Sequence, residues 1–290
     1  MPRQSLSTLI LTSLICIGFS GTDPFRTETL AQDTPHRPKR ILFIGQGPDG
    51  HPPGTHEYRA GAGLLARLVR PVVKAAPIQA IVVSADGAWA DGPELLDGAD
   101  AAFLFVSQGA AWIQEDSGRL AAFQRLAKRG GGLVCLHWGM GTKDAQNIEH
   151  FVNLFGGCHG GPDRRYKVVD VRTEIPHPEH SIMNGISPID IHEEFYFKLK
   201  QPKNTALVTP LLRVNIEKEP HTVAWAFDRP DGGRSFGFTG LHFHSNWEQE
   251  SYRRLMTQGV LWTLRLQIPP QGVPVPVKAH DLIPPEQQDK

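Results

Sequence analysis

Four short, nearly continuous apolar runs, separated by helical segments, constrain the fold of this chain more than any other feature of its sequence. They are RILFIG (40–45), AIVVSAD (80–86), AAFLFVS (101–107) and GLVCLHW (132–138). Runs of this length and composition are typical of strands that are covered on both faces in a parallel sheet. The sequence therefore predicts an α/β fold with a doubly wound, mostly parallel sheet.

Apolar residues recur at helical spacing between these runs. Leu64, Leu65 and Leu68 follow the first run, and SGRLAAFQRLAKRGG (117–131) places its apolar residues on one face before a glycine stop. The second half contains additional β-type runs and closes on a helical segment, QESYRRLMTQGVLWTLRL (249–266). We expect the additional strands to extend the same sheet.

The two ends of the chain differ in composition from its middle. Arg3 precedes LSTLILTSLICIGFSG (6–21), an apolar stretch that suits a signal-peptide core and is short for a bilayer span. We expect residues 1–31 to form a signal peptide and polar leader for export, with an uncleaved membrane anchor as the alternative. Residues 267–290 are Pro-rich and are predicted to form an extended tail rather than packed structure. One domain over 38–266 remains.

Charge and cysteine content argue against a nucleic-acid-binding protein and against a disulfide-rich scaffold. Thirty basic residues balance thirty acidic ones, and no Lys/Arg cluster is interleaved with aromatic residues, so nucleic acid is not an expected partner. After export the chain would keep Cys135 and Cys158. Two thiols do not make a disulfide scaffold, and we expect no disulfide.

Histidines follow three of the predicted strands, at the edge where open parallel sheets bind ligands. They are His51 and His56 after the first run, His137 at the end of the fourth, and His242 and His244 in the late GLHFHSN. On an extended strand the last two would share one face. A lone histidine is more often exposed or bonded to backbone, but their convergence predicts that at least three imidazoles share one pocket.

A carboxylate candidate lies in IHEEFYF (191–197). Strand alternation puts His192, Glu194 and Tyr196 on one face and Glu193 on the other. We expect Glu194 to transfer protons or to orient a histidine, although a solvated edge strand would also fit the pattern.

Glycines and tryptophans supply the remaining candidates. The loop FGGCHGGP (155–162) would let Cys158 or His159 approach a ligand, although a plain helix-ending loop fits equally well. Tryptophans in loops or at strand ends could stack on sugar rings, although most tryptophans only pack. The candidates are Trp89, Trp112, Trp138 and Trp247.

Taken in order, these stretches resemble the trehalose-utilisation, or ThuA-like, family over about residues 40 to 266. The matching segments are ILFIGQGPDGHPPGTHEY, GGGLVCLHWG, LFGGCHGGP, HPEHSIMNGI, HEEFYF, VAWAFDRPDGGRSFGFTGLHFHSNW and GVLWTLRL. The family's fold is similar to that of class I glutamine amidotransferases, a flavodoxin-like doubly wound sheet. The resemblance thus implies the same fold class that the apolar runs predict.

The amidotransferase similarity argues against glutaminase activity. In those enzymes a strand ending in Gly-x-Cys turns sharply and presents the cysteine as nucleophile. Here CLHWGMG places His137 at that turn and Cys135 inside the strand. Cys158 lacks the strand-turn-helix context that would activate a thiol.

The family's namesake acts in disaccharide breakdown alongside a sugar oxidoreductase, which implies an oxidised or keto sugar as substrate and a functional link to such an enzyme. Our first interpretation is an exported, carbohydrate-active hydrolase, lyase or isomerase. Its candidate groups are Glu194, His137 and His242 for catalysis; His51, His159, His244, Trp138 and Tyr196 for substrate binding; and His56, His137 and His242 for a metal. Neutral imidazole suits zinc or a similar divalent transition metal. The alternative is a non-catalytic sugar-binding or interaction domain.

Overall fold

Strands and helices alternate along the chain in the computed structural model, which describes residues 37–71 and 77–284. The strands are β1 (Lys39–Gly45), β2 (Ile78–Ser84), β3 (Ala101–Leu104), β4 (Gly132–Leu136), β5 (Gly141–Thr142), β6 (His159–Gly160), β7 (Arg165–Arg172), β8 (Asp190–Phe197), β9 (Val208–Ile216), β10 (Glu219–Asp228) and β11 (Arg234–Phe238). The helices are α1 (Tyr58–Val69), α2 (Gly92–Asp97), α3 (Gly109–Gln114), α4 (Ser117–Lys128), α5 (Ile148–Phe155) and α6 (Glu250–Thr263).

Seven strands form one sheet in the order β2-β1-β3-β4-β11-β10-β9. The first five in this order run parallel, whereas β10 is antiparallel to both of its neighbours. The order reverses at β1, because β2 and β3 lie on opposite sides of it, and doubly wound sheets bind ligands beyond such a switch. The predicted α/β fold with a doubly wound, mostly parallel sheet is confirmed.

Strands β7 and β8 depart from the prediction, because they form a separate two-stranded antiparallel sheet. The expectation that all later strands extend the main sheet therefore holds for β9, β10 and β11 and is wrong for these two. The physical reason lies in β7, whose Tyr166 and Val168 are exposed. A strand of the main sheet would instead be covered on both faces.

The core lies in two layers, one on each face of the main sheet. Alternate residues of β1 enter different layers: Ile41 and Phe43 pack in one cluster, and Leu42 and Ile44 in the other. Removing each such large apolar side chain from water contributes about 1.5–3 kcal/mol to stability. The strands therefore form a rigid support for the loops at their ends.

The C-terminal segment packs on this body as far as the structure describes it. Val273 and Val275 are buried, the Val273 amide donates to Gln258 Oε1 at 2.8 Å, and Arg253 Nε donates to the Val275 carbonyl at 2.9 Å. The interpretation of 267–290 as an unpacked tail is therefore wrong for residues 267–284. The prolines do keep the segment extended, and this extension lets alternate valines face α6.

The predicted leader, residues 1–31, lies outside the described residues. Among the residues that are described, no helix combines the length and apolarity needed to cross a bilayer.

Candidate functional site

A sharp turn at the end of β4 presents His137. This residue adopts a left-handed backbone conformation, with φ of 46°, directly after the strand ends at Leu136. The turn packs so closely on β3 that a Cβ on Gly139 would lie 2.5 Å from the Leu104 carbonyl oxygen, so only glycine fits there. A left-handed non-glycine residue costs about 1–3 kcal/mol and is common at functional sites.

Neither cysteine occupies the position that His137 takes at this turn. Cys135 is enclosed in β4 and Cys158 is also buried, and both are free thiols. Burial raises the pKa of the Cys135 thiol well above its usual value and raises the pKa of Cys158 to about 12. Neither thiol is therefore ionised and accessible in the way that a cysteine nucleophile must be.

Four side chains from three segments surround His137 Nε2, with Glu194 and Tyr196 both on β8. His56 Nε2 lies 3.1 Å away, His242 Nδ1 3.2 Å and the Tyr196 hydroxyl 2.9 Å. Glu194 Oε1 lies 3.7 Å from this same atom and 3.6 Å from His242 Nδ1. The structure thus brings together His56, His137, His242 and Glu194, as the sequence analysis expects.

Hydrogen bonds behind two of these imidazoles fix where their protons lie. His137 Nδ1 is 2.6 Å from the Thr239 carbonyl and must donate to it. Tyr58 donates its single proton to Asp49 at 2.6 Å, so His56 Nδ1, 2.8 Å from the Tyr58 oxygen and 3.2 Å from Asp49, carries a proton too. The Nε2 atoms of both histidines are therefore unprotonated and face each other across 3.1 Å.

Burial also keeps these imidazoles neutral. It lowers the pKa of His56, lowers the pKa of His137 well below its usual value, and lowers the pKa of His242 to about 4, with mutual repulsion adding to the effect. Lone pairs that face each other at this distance repel unless a cation lies between them. Neutral imidazoles with a carboxylate, oriented from behind by Asp49 and the Thr239 carbonyl, are a donor set that fits zinc or a similar divalent metal.

The GLHFHSN segment is not a strand, which corrects the basis on which its two histidines were paired. Strand β11 ends at Phe238, Leu241 has a left-handed φ of 68°, and His244 begins a 3₁₀ turn. The backbone therefore leaves the strand before His242 and enters a 3₁₀ turn at His244, so the two histidines do not share a strand face. His242 enters the cluster, whereas His244 is buried away from the cavity, with its backbone amide bonded to Gly54 and its imidazole near the Leu282 backbone.

The neighbouring carboxylate Glu193, which the sequence pattern did not single out, supports the site from behind. It is fully buried and accepts hydrogen bonds from the backbone amides of Leu241 at 2.8 Å and His242 at 3.1 Å, and from Asn246 Nδ2 at 2.9 Å. Burial raises its pKa to about 7 although these bonds act in the opposite direction. Glu193 therefore holds the loop that carries His242. The sequence did contain a sign of this role. Glu193 lies on the same strand face as the apolar Ile191, and a glutamate on a buried face needs polar partners.

A cleft of about 350 Å³ opens beside the cluster. Among the sequence-predicted site residues, those in its lining are His51, His56, Trp138, His159, Glu194, Tyr196 and His242. His137 lies fully buried behind the wall, and His244, Trp89, Trp112 and Trp247 do not line the cleft. His51 borders the opening and bonds Asp49 through Nδ1 at 2.7 Å. Burial raises the pKa of Glu194 to about 7, so this carboxyl can gain or lose a proton near neutral pH.

One wall of the cleft is aromatic. The Tyr196 ring stacks on His137 at 4.3 Å and on His159 at 3.9 Å, and Trp138 meets Tyr196 edge-on at 5.8 Å. Burial lowers the pKa of His159 to about 3, so this ring is neutral. Tyr166, which the sequence analysis did not select, is 59% exposed and lines the same cleft.

The sheet order, the turn at β4 and the histidine cluster define a flavodoxin-like α/β protein with a polar site at the carboxyl ends of its parallel strands. The chain belongs to the ThuA family: the family model described as trehalose utilisation matches residues 57–263. No curated protein sequence matches the chain.

Solved structures agree with this assignment. The chain is similar to a ThuA-like protein from Bacteroides uniformis (TM-score 0.58, 14% identity, 78% of this chain and 91% of that chain) and to one from Parabacteroides merdae (0.57, 11%, 85% and 99%). It is also similar to the GH42 β-galactosidase Gan42B from G. stearothermophilus (0.50, 10%, 80% and 31%). At these identities the similarity shows the fold alone.

Proposed function

We propose that this protein is a divalent-metal-dependent enzyme that acts on an oxidised, keto-bearing sugar. The observation that carries the proposal is the convergence of ligand atoms from His56, His137, His242 and Glu194, all within 4.8 Å of one another. Two of the imidazoles turn unprotonated nitrogens toward each other, an arrangement that a cation would relieve. The family's link to trehalose utilisation supports a carbohydrate substrate.

The chain's own residues suit proton transfer beside such a group. A divalent ion held by the three histidines would act as a Lewis acid toward a carbonyl oxygen. Glu194, with a pKa of about 7, would take the proton from the carbon next to the keto group. Loss of that proton is the first step shared by isomerisation and by elimination of a glycosidic oxygen. The Tyr196 hydroxyl would donate a hydrogen bond to a substrate oxygen.

The aromatic wall supports binding of a sugar ring. Trp138 and Tyr166 line the cleft and offer apolar ring faces beside polar groups. Sugars have apolar C–H faces and polar edges, which match such walls. We propose that both side chains contact the substrate ring and that His51 and His159 contact its hydroxyl groups.

Metal analysis of the purified protein tests the proposal. We expect about one equivalent of a divalent transition metal in the wild type, loss of the metal in His242→Ala, and conversion of a keto-disaccharide only by the metal-loaded protein. His192→Ala is the control, because this imidazole is exposed on β8 outside the cluster. A protein that binds sugar but neither takes up metal nor turns the sugar over would instead be a non-catalytic binding domain.

We also propose that the protein is exported, on the strength of Arg3 and the apolar stretch 6–21. N-terminal sequencing of the protein from its native cell should give a terminus beyond residue 21. Intact Met1 on a cytosolic pool would refute export, and intact Met1 in the membrane fraction would indicate the anchored alternative.

A further inference from the structure

A second cleft, of about 300 Å³, adjoins the first. Gln108 and Lys143 line both clefts and so form the junction between them. We call the second one the amide cleft, because its lining includes the side-chain amides of Gln114, Gln146 and Asn147. It lies between α3 and the 3₁₀ turn Ala145–Asn147.

The walls of the amide cleft are held in place by internal hydrogen bonds. Gln114 Nε2 donates to the carbonyls of Ala110 at 2.8 Å and of Asn147 at 2.7 Å, which fixes the orientation of this amide. Asn147 Nδ2 donates to Thr142 Oγ1 at 3.2 Å. These bonds tie α3 to the turn, so a ligand would meet a preformed surface and lose little free energy in ordering it.

The chemistry of the lining selects a neutral, hydroxyl-rich ligand. Amides both donate and accept hydrogen bonds, as hydroxyl groups do. The carboxylates of Glu115 and Asp144 outnumber the one ammonium group in the same lining, that of Lys143, and so disfavour an anion, whereas they accept well from hydroxyl protons. A large apolar ligand would leave these polar groups without partners.

The junction shows backbone strain of the kind found at functional sites. Gln108 has a left-handed φ of 46° at the start of α3, just beyond β3. This conformation costs about 1–3 kcal/mol in a non-glycine residue and persists only where the surroundings impose it. It places Gln108 between the histidine cluster and the amide cleft.

We propose that the amide cleft is a second sugar subsite, so that the substrate contains at least two sugar units. The oxidised unit lies beside His242 and Glu194, and an unmodified unit lies in the amide cleft with the linking oxygen near Gln108. The identity of the first unit rests on the proposed function, whereas the second subsite rests on the amide cleft itself.

Calorimetric titration of the full chain, as purified and with its metal content measured, with glucose, trehalose, maltose and cellobiose tests the second subsite. We expect at least one disaccharide to bind tenfold or more tightly than glucose. Asp144→Ala and Gln146→Ala, both exposed positions, should remove that advantage and leave glucose affinity unchanged. Gln124→Ala, an exposed amide on α4 outside both clefts, is the matched control and should keep the advantage.

Failure of this inference and failure of the proposed function are distinguishable. A disaccharide advantage that depends on Asp144 and Gln146 in a protein without metal or turnover would support the second subsite and refute the enzyme. Equal affinity for all four sugars, binding of none, or equal weakening of glucose and disaccharide by the variants would overturn the second subsite, even if metal and turnover were present.

Discussion

The two ends of the parallel strands carry cavities of similar size. Ionised pairs of side chains surround the one at the amino ends, and neutral imidazoles lie beside the one at the carboxyl ends. The cavity at the amino ends of β1, β3 and β4 measures about 400 Å³, and the cleft at the carboxyl ends about 350 Å³. At the amino ends, Arg37 pairs with Asp100 at 2.7 Å, and Arg125 pairs with Asp97 at 2.8 Å. The hydrogen bond from Arg125 lowers the pKa of Asp97, so this pair stays ionised.

At the carboxyl ends, by contrast, the imidazoles of His56, His137 and His242 are largely buried and neutral. His56 and His137 face each other with unprotonated nitrogens, and both have a left-handed backbone, as does Leu241 beside His242. Within the described ranges, Arg265 is the only non-glycine residue with a left-handed backbone that lines the amino-end cavity. Cavity size therefore does not identify the functional end. Backbone strain and converging ligand atoms favour the carboxyl ends, because both lower stability unless a ligand uses them.

Removal of a cluster histidine should produce the largest effect. His242→Ala should abolish turnover and lower metal affinity by more than about 100-fold, since even groups behind metal ligands are worth 10–100-fold. The side chain lies at the cleft edge, so the melting temperature of the metal-free protein should stay nearly constant. Retained metal together with a stability loss of several kcal/mol would show that His242 only packs.

Substitution of the adjacent Glu194 and Glu193 should distinguish a residue that transfers a proton from one that only supports the structure. Glu194→Gln should lower turnover by about 100- to 10,000-fold, because the amide cannot accept a proton, with metal content and melting temperature maintained. Steady-state rates and metal analysis on the same preparation give the answer. Unchanged turnover would exclude Glu194 as the proton acceptor.

The carboxylate behind His56 should have an intermediate effect. Asp49→Asn removes the anion that orients the His56 Nδ1 proton and should weaken metal binding by about 10- to 100-fold. Competition with a chromophoric chelator measures this affinity. Affinity equal to that of the wild type would mean that His56 keeps its orientation without Asp49.

Glu193→Gln should mainly reduce stability. Leu241 and His242 donate to different oxygens of Glu193, so the amide nitrogen of glutamine would face one of these two backbone amides without an acceptor, at a cost of about 1–3 kcal/mol. Urea denaturation measures it, and turnover by the folded fraction should exceed that of Glu194→Gln. A variant as stable as the wild type would show that the loop does not depend on Glu193.

The smallest effect is expected at the amino ends. Asp97→Asn breaks an exposed ion pair and should cost less than about 1 kcal/mol, because water and salt screen such pairs. Turnover and metal content should not change. A loss of metal in this variant would contradict the claim that the metal site at the carboxyl ends is independent of the ion pairs at the amino ends.

The strand runs could be predicted from sequence because apolar periodicity is a local property. The placement of His137 beyond β4 and of His56 beyond β1 follows from the topology that those runs imply. The spacing of His242 and His244 misled us, because the left-handed Leu241 takes the chain out of the strand before the pair is reached. No strand pattern encodes that departure.

Other parts of the site depend on contacts between distant segments. Asp49 orients His56 only because the loop after β1 folds back on itself. The amide cleft combines α3 with the turn Ala145–Asn147, which lie some thirty residues apart, as in the bond between Gln114 and Asn147. Sequence reasoning could identify these polar residues but could not place them together.

X-ray absorption at the metal K-edge of the purified, metal-loaded protein tests the central claim most directly. For zinc, the account predicts nitrogen and oxygen neighbours at about 2.0–2.1 Å, with imidazole scattering from three histidines. His242→Ala should lose one imidazole from that spectrum, and His192→Ala should lose none. A spectrum without imidazole neighbours, or one that His242→Ala does not change, would contradict a metal centre at the carboxyl ends of the strands.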